Sequence, residues 1–153
     1  MSRRNKNKNS NQNRDTVTFT EKDFLPTTRS EMEAKGWDYC DIILVSGDAY
    51  IDSPFIGVAM VGRMLERMGY RVGMIGQPDI NSADDISRLG EPRLYWGVSG
   101  GSVDSMVSNY TATKKFRNTD DYTPGGKNDK RPDRALSVYC NLIRRHFKDT
   151  API

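Results

Sequence analysis

Apolar and polar positions along the chain switch repeatedly between a strand period and a helix period. Asp41-Ile42-Ile43-Leu44-Val45-Ser46-Gly47 sets four consecutive apolar residues between an acid and Ser-Gly, the pattern of a strand buried on both faces. Ser53 followed by Pro54 has the chemistry of a helix start. Gly57, Met60, Val61, Met64, Leu65 and Met68 then recur at spacings of three and four. This predicts an amphipathic helix closed by Gly69, with its methionine-rich stripe in the core. Arg71 to Ile75 reads as a second strand, ended by Gly76-Gln77-Pro78-Asp79. Ser82 and Asp85 have capping-box spacing and open a short helix that turns Ile86 and Leu89 inward before Gly90 and Pro92. Leu94-Tyr95-Trp96-Gly97-Val98 reads as a third strand, followed by Ser99-Gly100-Gly101-Ser102 and a helix over about 103–109.

The flanks complete the pattern. Order is expected to begin near Phe19 to Pro26, and Thr28 with Glu31 predicts a short helix over about 29–35, stopped at Gly36. Residues 111–131 show no period, and so long an irregular stretch inside a domain suggests function or docking. After Pro132, the residues Ala135, Leu136, Tyr139, Leu142, Ile143 and Phe147 form one helical stripe, with Arg144, Arg145, His146 and Lys148 in the last turn where cations suit the helix dipole. Ala151-Pro152-Ile153 looks like the first residues of a fourth strand that is cut short.

Strands alternating with helices imply an α/β fold: an open, mostly parallel sheet of three to four strands flanked by helices, Rossmann- or flavodoxin-like. Such sheets bind ligands beyond the carboxyl ends of their strands, where strand order reverses. If the first strand lies beside the third, that point falls between two loops. One holds Ser46, Gly47 and Asp48, with Asp52 beyond; the other is Ser99, Gly100, Gly101 and Ser102. These eight residues are the candidate ligand-binding set. The glycine-rich turn could cradle a phosphate or carboxylate, or it could simply be a tight turn whose Ser102 caps a helix. Asp48 and Asp52 could hold a ribose, a metal or an amine, or be solvent-facing acids that cap the next helix. No GxGxxG and no GxxxxGK[ST] occurs.

Composition narrows the chemistry. At 153 residues the chain suits one domain, and 36% hydrophobic content allows a core with little surplus. No apolar run approaches the ~20 residues of a membrane span, and no membrane partner is expected. The formal charge is +3, yet residues 1–14 carry Arg3, Arg4, Lys6, Lys8 and Arg14 and no acid, so the remainder is net negative. Residues 1–18 therefore read as a disordered, basic, polar tail, and 19–153 as the folded domain. Clustered cations can bind nucleic acid through counterion release, but no aromatic residue interleaves with them, and the tail reads as a solvated leader instead. The basic residues of the long loop, from Lys114 to Arg134, read as a contact surface for another domain.

Two cysteines, Cys40 and Cys140, cannot make a disulfide framework or a four-ligand zinc site, and both read as small buried hydrophobes. His146, the single histidine, reads as a helix-end residue rather than a metal ligand. No catalytic residue and no metal site is assigned, and the compartment is read as cytoplasmic.

A series of short matches adds a family. Trp37-Asp38-Tyr39-Cys40-Asp41 through Asp48-Ala49-Tyr50, Gly57, Gly69-Tyr70-Arg71-Val72 and Gln77-Pro78-Asp79 come in order. Arg88-Leu89-Gly90, Gly97-Val98, Asp104-Ser105-Met106, Tyr110-Thr111 and Lys130-Arg131-Pro132-Asp133-Arg134-Ala135 follow. Together, over about 24–153, the chain resembles the amino-terminal region of the YgiQ-type radical-SAM proteins. The resemblance implies an amino-terminal α/β domain followed by a radical-SAM domain in a much longer polypeptide. That second domain uses CxxxCxxC to hold a four-iron, four-sulfur cluster that cleaves S-adenosylmethionine. The motif is absent from this sequence, so no cofactor is assigned to the chain itself. The resemblance also implies an outline like the cobalamin-binding domains of other radical-SAM enzymes, although the DxHxxG histidine that would ligate cobalt is missing.

The first reading is accordingly an amino-terminal accessory domain or fragment of a radical-SAM protein. It packs on a catalytic barrel through 111–131 and is inactive alone. Its partner is the downstream domain of the same polypeptide. The alternative is a free-standing module that binds a nucleotide or corrinoid between the loops after strands one and three.

Overall fold

The structure, a computed structural model, describes residues 20–153; the tail expected over 1–18 lies outside them. Eight principal elements follow in chain order: α1 (Arg29–Ala34), β1 (Ile42–Ser46), α2 (Gly57–Arg67), β2 (Val72–Gly76), α3 (Asp84–Ser87), β3 (Tyr95–Ser99), α4 (Ser105–Asn109) and α5 (Ala135–His146). The three strands form one parallel sheet in the order β2-β1-β3. This is the α/β class expected from the alternation, and the first strand does lie beside the third.

Register explains how the site is placed. Ser46 at the end of β1 pairs with Gly76 and Ser99, so all three strands end in one row. β1, the central strand, is buried along its whole length, and its unbroken apolar run is the cause. Its side chains alternate between two cores. Ile43 and Val45 join Met32, Ile75, Ile86, Trp96, Tyr139 and Ile143 beneath α1, α3 and α5. Ile42 and Leu44 join Leu25, Val72 and Met74 on the opposite face, under α2 alone.

Local chemistry sets the helix ends. The Thr28 hydroxyl accepts from the Glu31 amide at 3.3 Å, and the Glu31 carboxylate accepts from the Thr28 amide at 3.2 Å, closing the expected capping box. Gly69 takes φ +95°, which lets its amide and that of Tyr70 reach back to the Glu66 and Leu65 carbonyls of α2. Three helix starts differ from expectation. At α3 the Ser82–Asp85 capping box does not close: the Asp85 carboxylate accepts from the Asp79 amide at 2.8 Å and the Ser82 hydroxyl from the Asp84 amide at 3.3 Å, so the helix starts after Ala83 with no side-chain cap. α2 begins at Gly57, because residues 53–55 form a turn in which the Ser53 hydroxyl accepts from the Phe55 amide. α4 is capped by Asp104, whose carboxylate accepts from the Met106 amide at 2.9 Å, and not by Ser102.

The methionine-rich stripe of α2 is a clear correction: it does not form the core. Ala59 and Gly62 are buried and Val58 and Leu65 pack inward, while Met60, Val61, Met64 and Met68 are exposed. The reason is close approach. A Cβ at Gly62 would collide with Leu25 and lie 3.1 Å from Leu44, so the helix seats its smallest residues on the sheet and turns its longest ones out.

Residues 111–131 are irregular but ordered by isolated bridges, Tyr110 with Phe116 and Thr119 with Lys127, and by a 3-10 turn at Pro124–Gly126. Residues 151–153 lie beside β3, where the Pro152 carbonyl accepts from the Trp96 amide at 2.8 Å. This is one ladder-like bond and not yet a strand.

Candidate functional site

The loops after β1 and β3 meet as expected for this strand order, and the structure brings seven of the eight candidate residues together. The Ser46 hydroxyl accepts from the Asp48 amide at 3.1 Å, turning the chain at the strand end. The Gly47 amide donates to the Ser99 carbonyl at 3.1 Å, and the Ser99 hydroxyl accepts from the Gly101 amide. A Cβ at Gly47 would run into the Gly100 carbonyl, and one at Gly101, at φ +108°, would strike the Asp48 carboxylate. The glycines are there for close approach between two loops.

A third segment fills the crevice. Arg131, at the end of the long loop, has a side chain 0% exposed. Its Nη2 donates to Asp48 Oδ1 at 2.7 Å and to Asp120 Oδ2 at 3.2 Å. Nη1 donates to the Val103 carbonyl at 3.1 Å and the Gly100 carbonyl at 3.4 Å. The remaining acceptors are satisfied from the backbone and loop. Asp48 Oδ2 takes the Ser102 amide at 2.5 Å, and Asp120 takes the Tyr122 amide and the Thr123 hydroxyl. Two buried carboxylates around one buried guanidinium are sustainable only with this density of donors. The Tyr122 carbonyl accepts from the Ala49 amide, and Gln77, at φ +45°, donates from its side chain to the Gly47 carbonyl and the Thr123 hydroxyl. The long loop is thus a cap stitched across the strand ends, and its outer side carries Lys114, Lys115 and Lys127 in the open.

Asp52 is the candidate that stands apart. It accepts from the Nε and Nη2 of Arg63 on α2, at 3.0 and 2.5 Å, on the other side of β1. There it borders a cleft of about 700 Å³ at the carboxyl ends of β1 and β2, walled by Leu25, Tyr50, Gln77, Arg88, Pro124 and Lys130. Arg131 and Asp120 could not have been found by local spacing. Arg131 meets Asp48 across 83 positions, and in sequence it is one cation among many.

The chain's sulfur chemistry does not fit an iron–sulfur cluster. Cys40 is fully buried against the Met32 sulfur at 3.8 Å, and burial pushes its thiol up to about 12, where it stays protonated. Cys140, on α5, is the other, and three thiolates are needed. Among the described residues no group of three or more His, Cys, Asp or Glu is placed to hold a metal ion. His146 ends α5 with its ring against Phe147. No helix among the described residues is long and apolar enough to cross a membrane.

Comparison with known proteins decides the family. The family model described as "Radical SAM N-terminal" matches residues 24–153. The chain belongs to this family. It is 59% identical over 127 residues to a UPF0313 protein of Fusobacterium nucleatum, a match that takes in 83% of this chain and 22% of the relative. A UPF0313 protein of Thermotoga maritima is 61% identical over 126 residues, 82% of this chain and 22% of the relative. One from Bradyrhizobium diazoefficiens is 54% identical over 126 residues, 82% of this chain and 19% of the relative. The radical-SAM amino-terminal region thus spans about a fifth of the length of these relatives. No solved structure matches the chain.

Proposed function

We propose that this chain is an accessory domain of a radical-SAM iron–sulfur protein, one that packs on and supports a catalytic domain and carries no reacting group itself. The observation that carries this reading is the crevice between β1 and β3. In an open α/β sheet that crevice is where a ligand would sit, and here Arg131, Asp48 and Asp120 fill it with a buried, internally bonded cluster. The scaffold keeps the strand order of a binding fold and uses its binding point to fasten its own cap. The cluster and S-adenosylmethionine belong, in this reading, to the catalytic domain, since neither Cys40 nor Cys140 suits them. Two free cysteines also accord with a reducing, cytoplasmic setting.

The test is an exchange. Residues 24–153 replace the matching region of the Fusobacterium nucleatum relative, and the same relative is made with that region deleted. The exchanged protein is expected to load iron and sulfide and to form 5′-deoxyadenosine under reduction. The deleted one should lose soluble, cluster-loaded protein. Equal cluster content and equal turnover in the two would overturn the reading, as would reductive cleavage of S-adenosylmethionine by the 153-residue chain alone.

A further inference from the structure

The exposed stripe of α2 lies beside a second unfilled feature. On the α2 face of the sheet, Leu44 of β1 and Gly97 and Ser99 of β3 form a floor against which Val58 and Val61 of α2 make one wall. The result is a groove of about 340 Å³ whose lining also includes Gly57 and Ser102 and holds no charged side chain. Gly97 keeps the floor flat, because a Cβ there would lie 2.6 Å from the Leu44 Cδ2. On this face α2 packs on β1 and β2, and among the described residues the helix that packs on β3 is α5, on the opposite face.

Helix geometry extends the groove. Gly57 and Val61 line it, and at 100° per residue Met64 and Met68 fall on the same line, an i, i+4, i+7, i+11 seam. This seam is a neighbour of the buried one through Val58, Gly62 and Leu65. Val61 is 50% exposed, Met64 59% and Met68 70%. A heptad-spaced apolar row beside an uncharged trough has the pattern of the receiving half of a helix–helix contact. Methionine also suits interface cores, because it adapts its shape.

We propose that the groove over β3 receives an apolar helix from the remaining polypeptide of the radical-SAM protein, laid alongside α2 with its seam against Val61, Met64 and Met68. Two observations name this occupant. The relatives carry about four fifths of their length outside the matched region, so a covering segment is supplied within one chain. The Pro152 carbonyl also sits on the Trp96 amide, which holds the carboxyl-terminal residues of the domain at β3, the strand the groove overlies. The inference rests on the accessory-domain reading and locates its contact on α2, not on the loop 111–131.

The test uses the full-length exchanged protein with the photo-cross-linker p-benzoylphenylalanine at Met64 or Met68, and in parallel at Lys115 on the loop. Cross-links from both α2 positions to a helical segment outside residues 24–153 are expected. Met64→Glu in the full-length protein should speed proteolytic separation of the domain at least tenfold, while leaving the unfolding midpoint of the 153-residue chain unchanged. Cross-links from Lys115 alone would overturn this surface and leave the accessory reading standing. No cross-link from any of the three to the rest of the protein would overturn both. Cross-links only between two copies, or a 153-residue dimer that Met64→Glu dissolves, would assign the seam to self-association and overturn the proposal.

Discussion

The two faces of this small sheet receive side chains from the same strands and meet different fates. Beneath α1, α3 and α5, Trp96, Tyr139 and Ile143 are sealed, with Trp96 at 1% exposure and its ring 5.4 Å from Phe147. On the α2 side the packing stops half-way, at Leu44 and Val58, and methionines stand in the open. The difference teaches that apolar periodicity measures what a segment can bury and says little about what is available to bury it. Among the described residues, one face is covered by three helices and the other by one.

Perturbing the closed face should be costly. Trp96→Ala removes a fully buried ring and the bond from its Nε1 to the Thr150 hydroxyl at 2.7 Å. A loss of about 3–5 kcal/mol in denaturant unfolding is expected, the usual cost of emptying so large a core site. Arg131→Met should cost a similar amount, about 3–5 kcal/mol, because Asp48 and Asp120 are left buried without their partner. Adding Asp48→Asn and Asp120→Asn to that variant should recover a large part of it. A triple variant no more stable than Arg131→Met would show that shape, and not charge, holds the cap.

A pH effect belongs to the same face. Burial, with a smaller contribution from Asp41, pushes the Cys40 thiol from an ordinary value near 9 up to about 12, against Arg29 and Arg71. The unfolded chain releases this proton first, so between those values the folded state binds more protons and stability falls as pH rises. Below pH 9 the group contributes no slope. Urea midpoints measured from pH 8 upward should therefore decline less steeply in Cys40→Ala, the remaining slope coming from groups such as Tyr139, whose phenol burial also pushes up. Last and smallest, Met64→Gln on the open face should change the stability of the 153-residue chain by no more than about 0.5 kcal/mol. A loss of several times that would mean the seam is already covered.

Much of the architecture was legible. The run Ile42 to Val45 announces a central strand, Thr28 with Glu31 a capped helix, and Gly69 a helix stop, because each depends on residues within one turn of one another. The point at which the two loops meet follows from topology and came out as expected. What could not be read depends on distance. Nothing in the neighbourhood of Arg131 says that its partner is Asp48, and nothing in the spacing of Met60, Val61, Met64 and Met68 says which side of α2 faces the sheet. Gly62 decides that, through a collision with Leu25 on a segment more than thirty positions earlier.

The reach of Arg131 also bears on how the domain is made. Asp48 lies in the loop just after the first strand, yet the cation that neutralises it is made 83 residues later. A chain emerging from the ribosome would therefore hold β1, β2 and β3 ready while the crevice still stood open to water. Long-separation closures of this kind form late. The last act of folding is expected to be the docking of residues 120–131, and kinetics of Arg131→Met should show it as faster unfolding with an almost unchanged folding rate.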